Sequence, residues 1–560
     1  MFATRAARSL CLVVLGLSAP KAVAQNTTCH TPEFLNRADI PGFGLAEVNQ
    51  YRVDTSTHGF AEFPTACVTD ETIFEAASLT KPVVAYVVMR LVDQGRVGLD
   101  DVLVERLPTL PLPGDDPRSK GVTIRMALAH STGLSGPDNA ELSFIADPGT
   151  TFEYYPAGYR LVQRVIEDLE GASLEDIARR EVFEPLDMNS SSLVFREDLL
   201  NRIATRHRML GDAFERARDP QRPANAAASL ITTPGDYGKF LRAMLKGDHL
   251  SAPSRRTMLT PQIIVPDTDG KVGWGLGWGI EIDRGTFFHW GDDGAAKCFT
   301  MGSTEQQGAF VYFANSYYGM AIAREMAASR FPGDQPAVDW LGYGNWNSPK
   351  RLARLDTVRA FVEGDPIAGM DTFKQYQSQH PELDMDNIAS FVTWVLQGRE
   401  VHDGRARLLR WQIERQPEKV DLYLNLAESL KAVGDLESAI TSLRNARPHA
   451  DDSTAPFIEA QLAWMDDDIE AKQSAGRTPD HETTALIGRY DTWRIFAEAE
   501  RLRFQPGEGN RYTLRWMHGA TYALEEIEWF RLRFVLEDDK ATKLIGMYSD
   551  GRADESDRAD

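Results

Sequence analysis

The hydrophobic pattern divides the chain into a mixed α/β half, a helical stretch and a β-rich end. In the first half, alternating apolar and polar residues predict strands, and apolar residues at helical spacing predict helices. The strands are predicted at 42–53, 57–64, 272–280, 286–294 and 309–314, with a turn at 54–56. Helical segments are predicted across 83–107, and further helices at 122–130 and 161–169.

The second half changes character twice. Gly, Asn, Ser and Pro at 338–350 predict a linker, after which 351–480 has helical patterning. From 481 to 549, period-two alternation predicts a small antiparallel domain that resembles a lipocalin-like barrel. The charged residues 550–560 are expected to form a tail without fixed structure.

One part of the helical stretch has a sharper pattern, with small residues where two antiparallel helices would pack. It resembles a tetratricopeptide repeat. The pattern predicts either a groove for a protein or peptide partner or a rigid spacer. Its positions are Tyr423, Leu426, Ala427, Leu430, Gly434, Asp435, Ala439, Leu443 and Ala446.

Composition and the first residues narrow the class of protein. The chain has 560 residues and a formal net charge of −21, which argues against nucleic acid as the main partner. Residues 1–24 are predicted to be a secretory signal peptide, with Arg5 and Arg8 before an apolar run and a small-residue cleavage site ending at Ala24. No later run approaches the ~20 apolar residues of a membrane-spanning helix. We therefore expect export to the periplasm or out of the cell.

Three cysteines remain after the signal segment. Export permits a disulfide, and Cys29 and Cys67 are the expected pair, although sequence alone does not establish it. Cys298 lies among small and apolar residues, and we expect a buried free thiol there.

The first candidate for chemistry is Ser78-Leu79-Thr80-Lys81, at the predicted start of a helix. Residues three apart emerge on one helix face, so the Lys81 amine can reach the Ser78 hydroxyl. The amine can take the hydroxyl proton only if its surroundings lower its pKa. Ser-x-x-Lys alone is a weak signal, and Ser18 and Lys21 form a second match.

Later stretches supply possible partners. Tyr154 and Tyr159 lie in a loop before a predicted helix, where a tyrosine can either relay a proton or simply pack. His130 at a helix end is a base in one interpretation and, more often, a hydrogen-bonded structural residue. Glycine-rich residues at 275–279 and the segment His289-Trp290-Gly291 permit close approach of a substrate to a strand.

The order of these motifs resembles the serine β-lactamase-like superfamily, which includes class C β-lactamases, penicillin-binding D,D-peptidases, D-amino-acid peptidases and family VIII esterases. The resemblance implies an α/β domain over 25–337, with an antiparallel sheet flanked by helices and an all-α subdomain. It also implies an acyl-enzyme mechanism that uses no metal or cofactor.

The resemblance assigns roles to individual residues. Ser78 would attack the acyl carbon, and Lys81 and Tyr154 would share the proton transfers. The backbone N–H groups of Ser78 and Asp292 would form the oxyanion hole. His289, where many relatives carry the lysine of Lys-Thr-Gly, would orient the substrate or the tyrosine–lysine pair. The residues expected to contact the substrate are Tyr155, Trp290 and Gly291.

One position departs from the family pattern. The motif that usually reads Tyr-x-Asn is here Tyr154-Tyr155-Pro156, and proline has no side-chain amide. The departure favours an esterase-like activity over β-lactam hydrolysis, with D-amino-acid or peptide-type substrates as another possibility. The alternative is a catalytically degenerate protein that recognises cell-wall or peptide fragments and holds a partner through its helical repeats.

Overall fold

The chain divides into two units between Asn347 and Ser348. A nine-stranded antiparallel sheet forms the centre of the first unit. The computed structural model describes residues 29–136, 142–214 and 218–559, so the predicted signal peptide at 1–24 lies outside the described residues. The first-unit strands are β1 (Gly42–Asn49), β2 (Val53–Glu62), β3 (Ala66–Cys67), β4 (Phe74–Ala77), β5 (Leu134–Ser135), β6 (Ser143–Phe144), β7 (Arg206–His207), β8 (Ala213–Phe214), β9 (Leu230–Thr232), β10 (Ile263–Ile264), β11 (Val272–Trp274), β12 (Gly279–Glu281), β13 (Thr286–Asp293), β14 (Ala296–Ser303) and β15 (Gly308–Ala314). The first-unit helices are α1 (Glu33–Arg37), α2 (Thr80–Asp93), α3 (Leu103–Arg106), α4 (Ile124–Leu128), α5 (Ala157–Glu170), α6 (Leu174–Ala178), α7 (Pro234–Lys246), α8 (Ala252–Met258), α9 (Ala323–Arg330) and α10 (Pro336–Leu341).

The strand order of the large sheet is β10-β11-β12-β13-β14-β15-β1-β2-β3, so the first hairpin joins the last strand of the domain. Helices α2, α5 and α7 cover one face with the larger apolar core, and α1, α9 and α10 cover the other. Strand β4 lies outside this sheet and pairs with β9. The fold confirms the predicted antiparallel sheet flanked by helices.

Several predicted boundaries in this unit are wrong. The predicted turn at 54–56 lies inside β2, because the chain already turns where the Asn49 side chain accepts hydrogen bonds from the backbone of Tyr51 and Arg52 at 2.8 and 3.1 Å. The helical segments predicted across 83–107 are two helices, α2 and α3; α2 ends at Asp93, and Gly95 adopts a φ of 71° just beyond it. The glycine-rich segment 272–280 is a hairpin of β11 and β12, because Gly277 turns the chain with a φ of 80°.

The predicted linker at 338–350 begins too early. Helix α10 runs through its first residues, and Trp340 and Trp346 pack against the core beneath α1 and α9. The break between the two units follows Asn347. Composition alone indicated a linker because Gly, Asn and Ser are common there, but the interspersed Trp340 and Trp346 are half-buried against the core of the first unit.

The second unit contains seven helices followed by an eight-stranded sheet in the part of the chain that the structure describes. Helices α15 and α16 pack together through the small and apolar positions that resemble a tetratricopeptide repeat, and Asp435 caps α16 by accepting from Ser438 N at 3.1 Å. The assignment as repeats, and the partner they would hold, stay predictions. The helices are α11 (Pro349–Arg359), α12 (Pro366–Gln379), α13 (Met385–Gly398), α14 (His402–Arg415), α15 (Val420–Ala432), α16 (Leu436–Ala446) and α17 (Ala455–Gln473).

The eight strands form a nearly closed antiparallel barrel in the order β16 to β23, as predicted for a small barrel-like domain. A bridge between Tyr490 and Arg558 links the first and last strands. The strands are β16 (Gly488–Tyr490), β17 (Trp493–Glu498), β18 (Arg501–Pro506), β19 (Tyr512–His518), β20 (Thr521–Leu524), β21 (Ile527–Glu537), β22 (Lys540–Tyr548) and β23 (Ala553–Asp557).

The expectation of a tail without fixed structure at 550–560 is wrong. Strand β23 pairs with β22 over Ala553–Asp557, and the Arg558 guanidinium donates to the backbone oxygens of Ala485, Ile487 and Ala541 at 3.0, 2.8 and 3.0 Å. The charged composition of 550–560 gives no strand pattern, because a strand at one edge of a small barrel can face water and needs no apolar alternation.

Removing residues 550–560 is therefore expected to destabilise the barrel. The truncated chain loses the β22–β23 ladder and the three Arg558 hydrogen bonds, which together should cost about 3 kcal/mol or more. Urea unfolding of the full-length and truncated chains, followed by tryptophan fluorescence, measures the difference. A chain lacking only 559–560 keeps the strand and is the control; equal midpoints for both truncations would contradict a structural role for β23.

Candidate active site

The Ser78 hydroxyl lies where strand β4 turns into helix α2. The turn has an unusual backbone, because Ala77 adopts a φ of 44° immediately before the serine. One helical turn later, the Lys81 Nζ lies 2.8 Å from Ser78 Oγ and donates a second hydrogen bond to the Ala227 backbone oxygen, also at 2.8 Å. The spacing of the sequence motif thus becomes a direct amine–hydroxyl contact.

Burial controls the charge of Lys81. The side chain is only 2% exposed and starts a helix whose first turns are buried. Desolvation, with a smaller contribution from the positive charge of Arg160, lowers the pKa of Lys81 to about 7. Near neutral pH a substantial fraction of the amine is uncharged, so it has a lone pair that can accept the Ser78 proton.

The loop that holds Lys81 was not recognised in the sequence. Gln163 on α5 fixes it, because its Oε1 accepts from Ala226 N and its Nε2 donates to Ala224 O, both at 2.9 Å. The fixed loop presents the Ala227 carbonyl to Lys81. A run of three alanines at 226–228 was the only local signal, and such a run predicts no particular contact.

Tyr154 completes the local cluster. Its ring centre lies 4.9 Å from Lys81 Nζ and 4.6 Å from the Trp290 ring. Burial raises the pKa of Tyr154, while the nearby Ser78 hydroxyl opposes that rise. The side chain is therefore a neutral phenol at pH 7. Its hydroxyl makes no hydrogen bond of ordinary geometry with any described residue.

His289 lies on β13 beside Tyr154, with the two ring centres 6.0 Å apart. Its Nδ1 is 2.8 Å from both the backbone nitrogen and oxygen of Trp290. Burial, assisted by the positive charge of Lys81, lowers the pKa of His289 to about 3. The imidazole is therefore neutral at physiological pH. Its Nε2 is buried and, like the Tyr154 hydroxyl, lacks a hydrogen-bond partner among the described residues.

His130 makes the contacts of a structural residue. Tyr155 N donates to its Nδ1 at 3.2 Å, and its own backbone oxygen accepts from Glu153 N at 2.8 Å. Its ring lies 4.5 Å from that of Tyr154. His130 thus anchors the loop that carries Tyr154 and supports one side of the tyrosine ring.

Tyr155 and Pro156 follow Tyr154 at the start of helix α5. The Tyr155 hydroxyl donates to the Gly136 carbonyl, and the ring packs against the main core, so its substrate contact stays a prediction. Pro156 begins helix α5 with a φ of −70° and offers no side-chain hydrogen bond. Lys81 therefore donates to the Ala227 carbonyl and to Ser78 Oγ, and Pro156 provides no side-chain acceptor for it.

Strand β13 approaches β4 closely beside Ser78. A Cβ on Gly291 would lie 2.4 Å from the Ala76 backbone oxygen, so only glycine fits there. The buried Cys298 thiol, expected to be free, donates to the same oxygen at 3.1 Å. This approach brings the backbone of Asp292 toward the start of α2. The Asp292 carboxylate binds Lys297 and accepts from the Tyr343 hydroxyl at 2.5 Å.

Comparison with known proteins identifies the family of the first unit. The family model described as Beta-lactamase matches residues 30–334, which is more than half of the chain. This chain belongs to the Beta-lactamase family. The match confirms the predicted resemblance and, with relatives named as hydrolases and esterases, the prediction of a β-lactamase-like serine hydrolase.

Three curated relatives of this family member match its first half. They are Penicillin-binding protein 4 of Amycolatopsis lactamdurans, 28% identical over 264 residues, an unguisins hydrolase of Aspergillus campestris, 26% over 297, and Lovastatin esterase of Penicillium rubens, 26% over 271. The matches cover 41%, 46% and 36% of this chain and 68%, 55% and 68% of those proteins.

A cavity of about 60 Å³ in this Beta-lactamase family member reaches strand β4 at Glu75 and the end of strand β13 at Asp293. Its lining is mixed, with apolar side chains beside charged and amide ones. They include Glu75, Leu193, Phe195, Arg222, Asn225 and Asp293. In the described ranges, no three His, Cys, Asp or Glu side chains are grouped to hold a metal ion, and no helix is long and apolar enough to cross a membrane. Cys29 and Cys67 form the expected disulfide.

Proposed function

We propose that the chain is an exported serine hydrolase that acts through an acyl-enzyme on Ser78. Its substrates are carboxylic esters that carry no free carboxylate. The observation that carries the proposal is the 2.8 Å contact between Ser78 Oγ and a buried Lys81 amine whose pKa is about 7. The signal-peptide pattern at 1–24 and the Cys29–Cys67 disulfide support export.

The reaction begins with attack of Ser78 Oγ on the ester carbon while its proton moves to the neutral Lys81 amine. The carbonyl oxygen becomes an oxyanion, which the backbone N–H groups of Ser78 and Asp292 would stabilise. The C–O bond then breaks, Tyr154 protonates the departing alkoxide, and Lys81 returns a proton to Tyr154. The alcohol leaves and the acyl group stays on Ser78.

Water completes the cycle by the reverse proton path. The Lys81–Tyr154 pair removes a proton from a water molecule as its oxygen attacks the acyl carbon. The second tetrahedral intermediate collapses, the carboxylic acid leaves, and Ser78 Oγ recovers its proton. Tyr154 Oη, which lies beside the Ser78 hydroxyl, and His289 Nε2 make no hydrogen bond of ordinary geometry within the described ranges, and both are available to bind the substrate or this water.

The surroundings of these groups favour uncharged esters over peptides with a terminal carboxylate. Position 289, a lysine in many relatives, is a histidine that burial keeps neutral. Trp290 follows it with an aromatic ring, and Pro156 removes the amide that would bind a peptide group. A substrate carboxylate would therefore lose hydration at this position without gaining a positive partner from residue 289.

A D-amino-acid peptidase is the second candidate, since two relatives are named penicillin-binding proteins. Initial rates on p-nitrophenyl butyrate, on a peptide ending in D-Ala-D-Ala and on a chromogenic cephalosporin separate the candidates. The proposal predicts ester turnover at least about 100-fold faster in kcat/KM than turnover of the other two, since the carboxylate lacks a partner. A preference for the D-peptide would replace the esterase proposal by the peptidase.

The pH profile should show one rising limb. Lys81 must be neutral to act as a base, so kcat/KM is expected to rise about tenfold per pH unit below pH 7 and to level off above it. The limb lies near 7 because burial lowers the pKa of Lys81 to about that value. Neither His289, with a pKa of about 3, nor the Tyr154 phenol should titrate between pH 5 and 9. Activity that falls as the pH rises from 6 to 8 would contradict this assignment.

A further inference from the structure

Arg206, which the resemblance does not mention, joins the two strands that flank the candidate oxyanion hole. Its buried guanidinium binds Glu75 of β4 through Nε at 2.9 Å and Nη2 at 2.5 Å. The same group donates to Asp293 at the end of β13, with Nη1 2.7 Å from the backbone oxygen and Nη2 2.9 Å from Oδ2. Arg206 is only 5% exposed.

The two connected points lie close to the reacting backbone. Glu75 precedes Ser78 by three residues, and Asp293 directly follows Asp292. Strand β13 belongs to the large sheet, whereas β4 pairs only with β9 among the described strands. No shared backbone ladder therefore fixes the distance between the two candidate oxyanion donors. The distance is fixed instead by the close backbone packing at Gly291 and the Cys298 thiol contact with Ala76 on one side, and by the Arg206 side chain on the other.

The ion pairs of Arg206 also neutralise negative charge near the candidate oxyanion hole. Glu75 and Asp293 are two carboxylates near the place where a negative oxygen would form. Unpaired, they would repel an oxyanion and each other. The planar guanidinium satisfies both with forked hydrogen bonds, a geometry that a lysine ammonium cannot reproduce. The backbone on either side of Arg206 is itself held, because His207 N donates to Asn315 O at 2.9 Å.

We propose that Arg206 is a positioning residue that sets the separation of the two oxyanion donors and neutralises the carboxylates beside them. The inference rests on the proposed acyl transfer at Ser78. Its consequence is specific: loss of the guanidinium should weaken binding of the tetrahedral transition state and leave binding of the planar ester almost unchanged.

The test compares Arg206→Met, Arg206→Lys and Glu75→Gln with the wild-type chain on p-nitrophenyl butyrate. Arg206→Met is expected to lower kcat between about 10- and 100-fold with KM changed less than about twofold, because a misplaced donor loses transition-state stabilisation. Arg206→Lys should lose less, since it keeps the charge. Inhibition by phenylboronic acid, which forms a tetrahedral adduct on a serine, should weaken by the same factor as kcat/KM.

Arg202 provides the matched control, since it pairs with Glu71 at 2.6 Å in the same segment but touches neither oxyanion strand. Arg202→Met should leave kcat and boronate binding unchanged. Active-site titration with a fluorophosphonate corrects every rate for misfolded enzyme. Suppose that the wild type is active and that all three variants have the corrected kcat and the boronate affinity of the wild type. This result would overturn the inference about Arg206 and leave the proposed function standing. A wild type that neither turns over esters nor reacts with the fluorophosphonate would overturn the proposed function and this inference together.

Discussion

Replacing Ser78 by alanine is expected to lower kcat/KM for ester hydrolysis between about 10⁴- and 10⁶-fold, to the limit of detection. The reason is that Ser78 Oγ is the atom on which the acyl group is carried, and the Lys81 amine contacts it directly at 2.8 Å. Without that oxygen, the amine and phenol can at best activate water, and no covalent intermediate forms. Rates on p-nitrophenyl butyrate, measured to high enzyme concentration, give the effect.

The variant should fold normally, because the substitution removes one hydrogen bond and leaves Lys81 bound to the Ala227 carbonyl. Ser329→Ala is the control, since this exposed serine on α9 only donates to Met326 O at the end of the helix. Ser329→Ala should match the wild type. Substantial ester turnover by folded Ser78→Ala would mean that another group carries the reaction.

Replacing Lys81 by methionine is the second large effect that we expect, a fall in kcat/KM of about 10²- to 10⁴-fold. Methionine keeps much of the volume and the apolar stem but has no amine to accept the Ser78 proton. The rising pH limb near 7 should disappear in this variant, because that limb reports the amine. A pH series of kcat/KM on the same ester measures both consequences.

Lys246→Met serves as the control for this substitution, because Lys246 ends helix α7 and pairs with Asp248 at 3.2 Å on the surface. It should keep the wild-type rate and pH profile. The role of Lys81 as the base would be contradicted if Lys81→Met retained the limb near pH 7, whatever the size of its loss in rate.

The parts of the site that sequence could predict are those defined by local spacing or by the family pattern. Ser78 and Lys81 are three residues apart, so helix geometry alone brings their side chains together. Tyr154 and His289 needed the resemblance, because no local rule places them near Ser78. The structure brings these four side chains into one buried cluster, with Trp290 against Tyr154.

The parts that sequence did not predict depend on contacts between distant residues. The Ala227 carbonyl is 146 positions from Lys81, and Arg206 is 131 positions from Glu75. Neither position has a local pattern that identifies its partner. Strand β14 was missed for a related reason: all its residues are buried, so it lacks the alternation that marks a strand with one exposed face.

The acyl-enzyme on Ser78 is tested most directly by the intact mass of the protein after exposure to a fluorophosphonate and, separately, to a slowly hydrolysed ester. We expect one added phosphonyl group and a transient acyl group, both located on the peptide that contains Ser78 and both absent from Ser78→Ala. A folded wild-type protein that gains no mass, or gains it on a residue other than Ser78, would contradict the acyl-enzyme on Ser78.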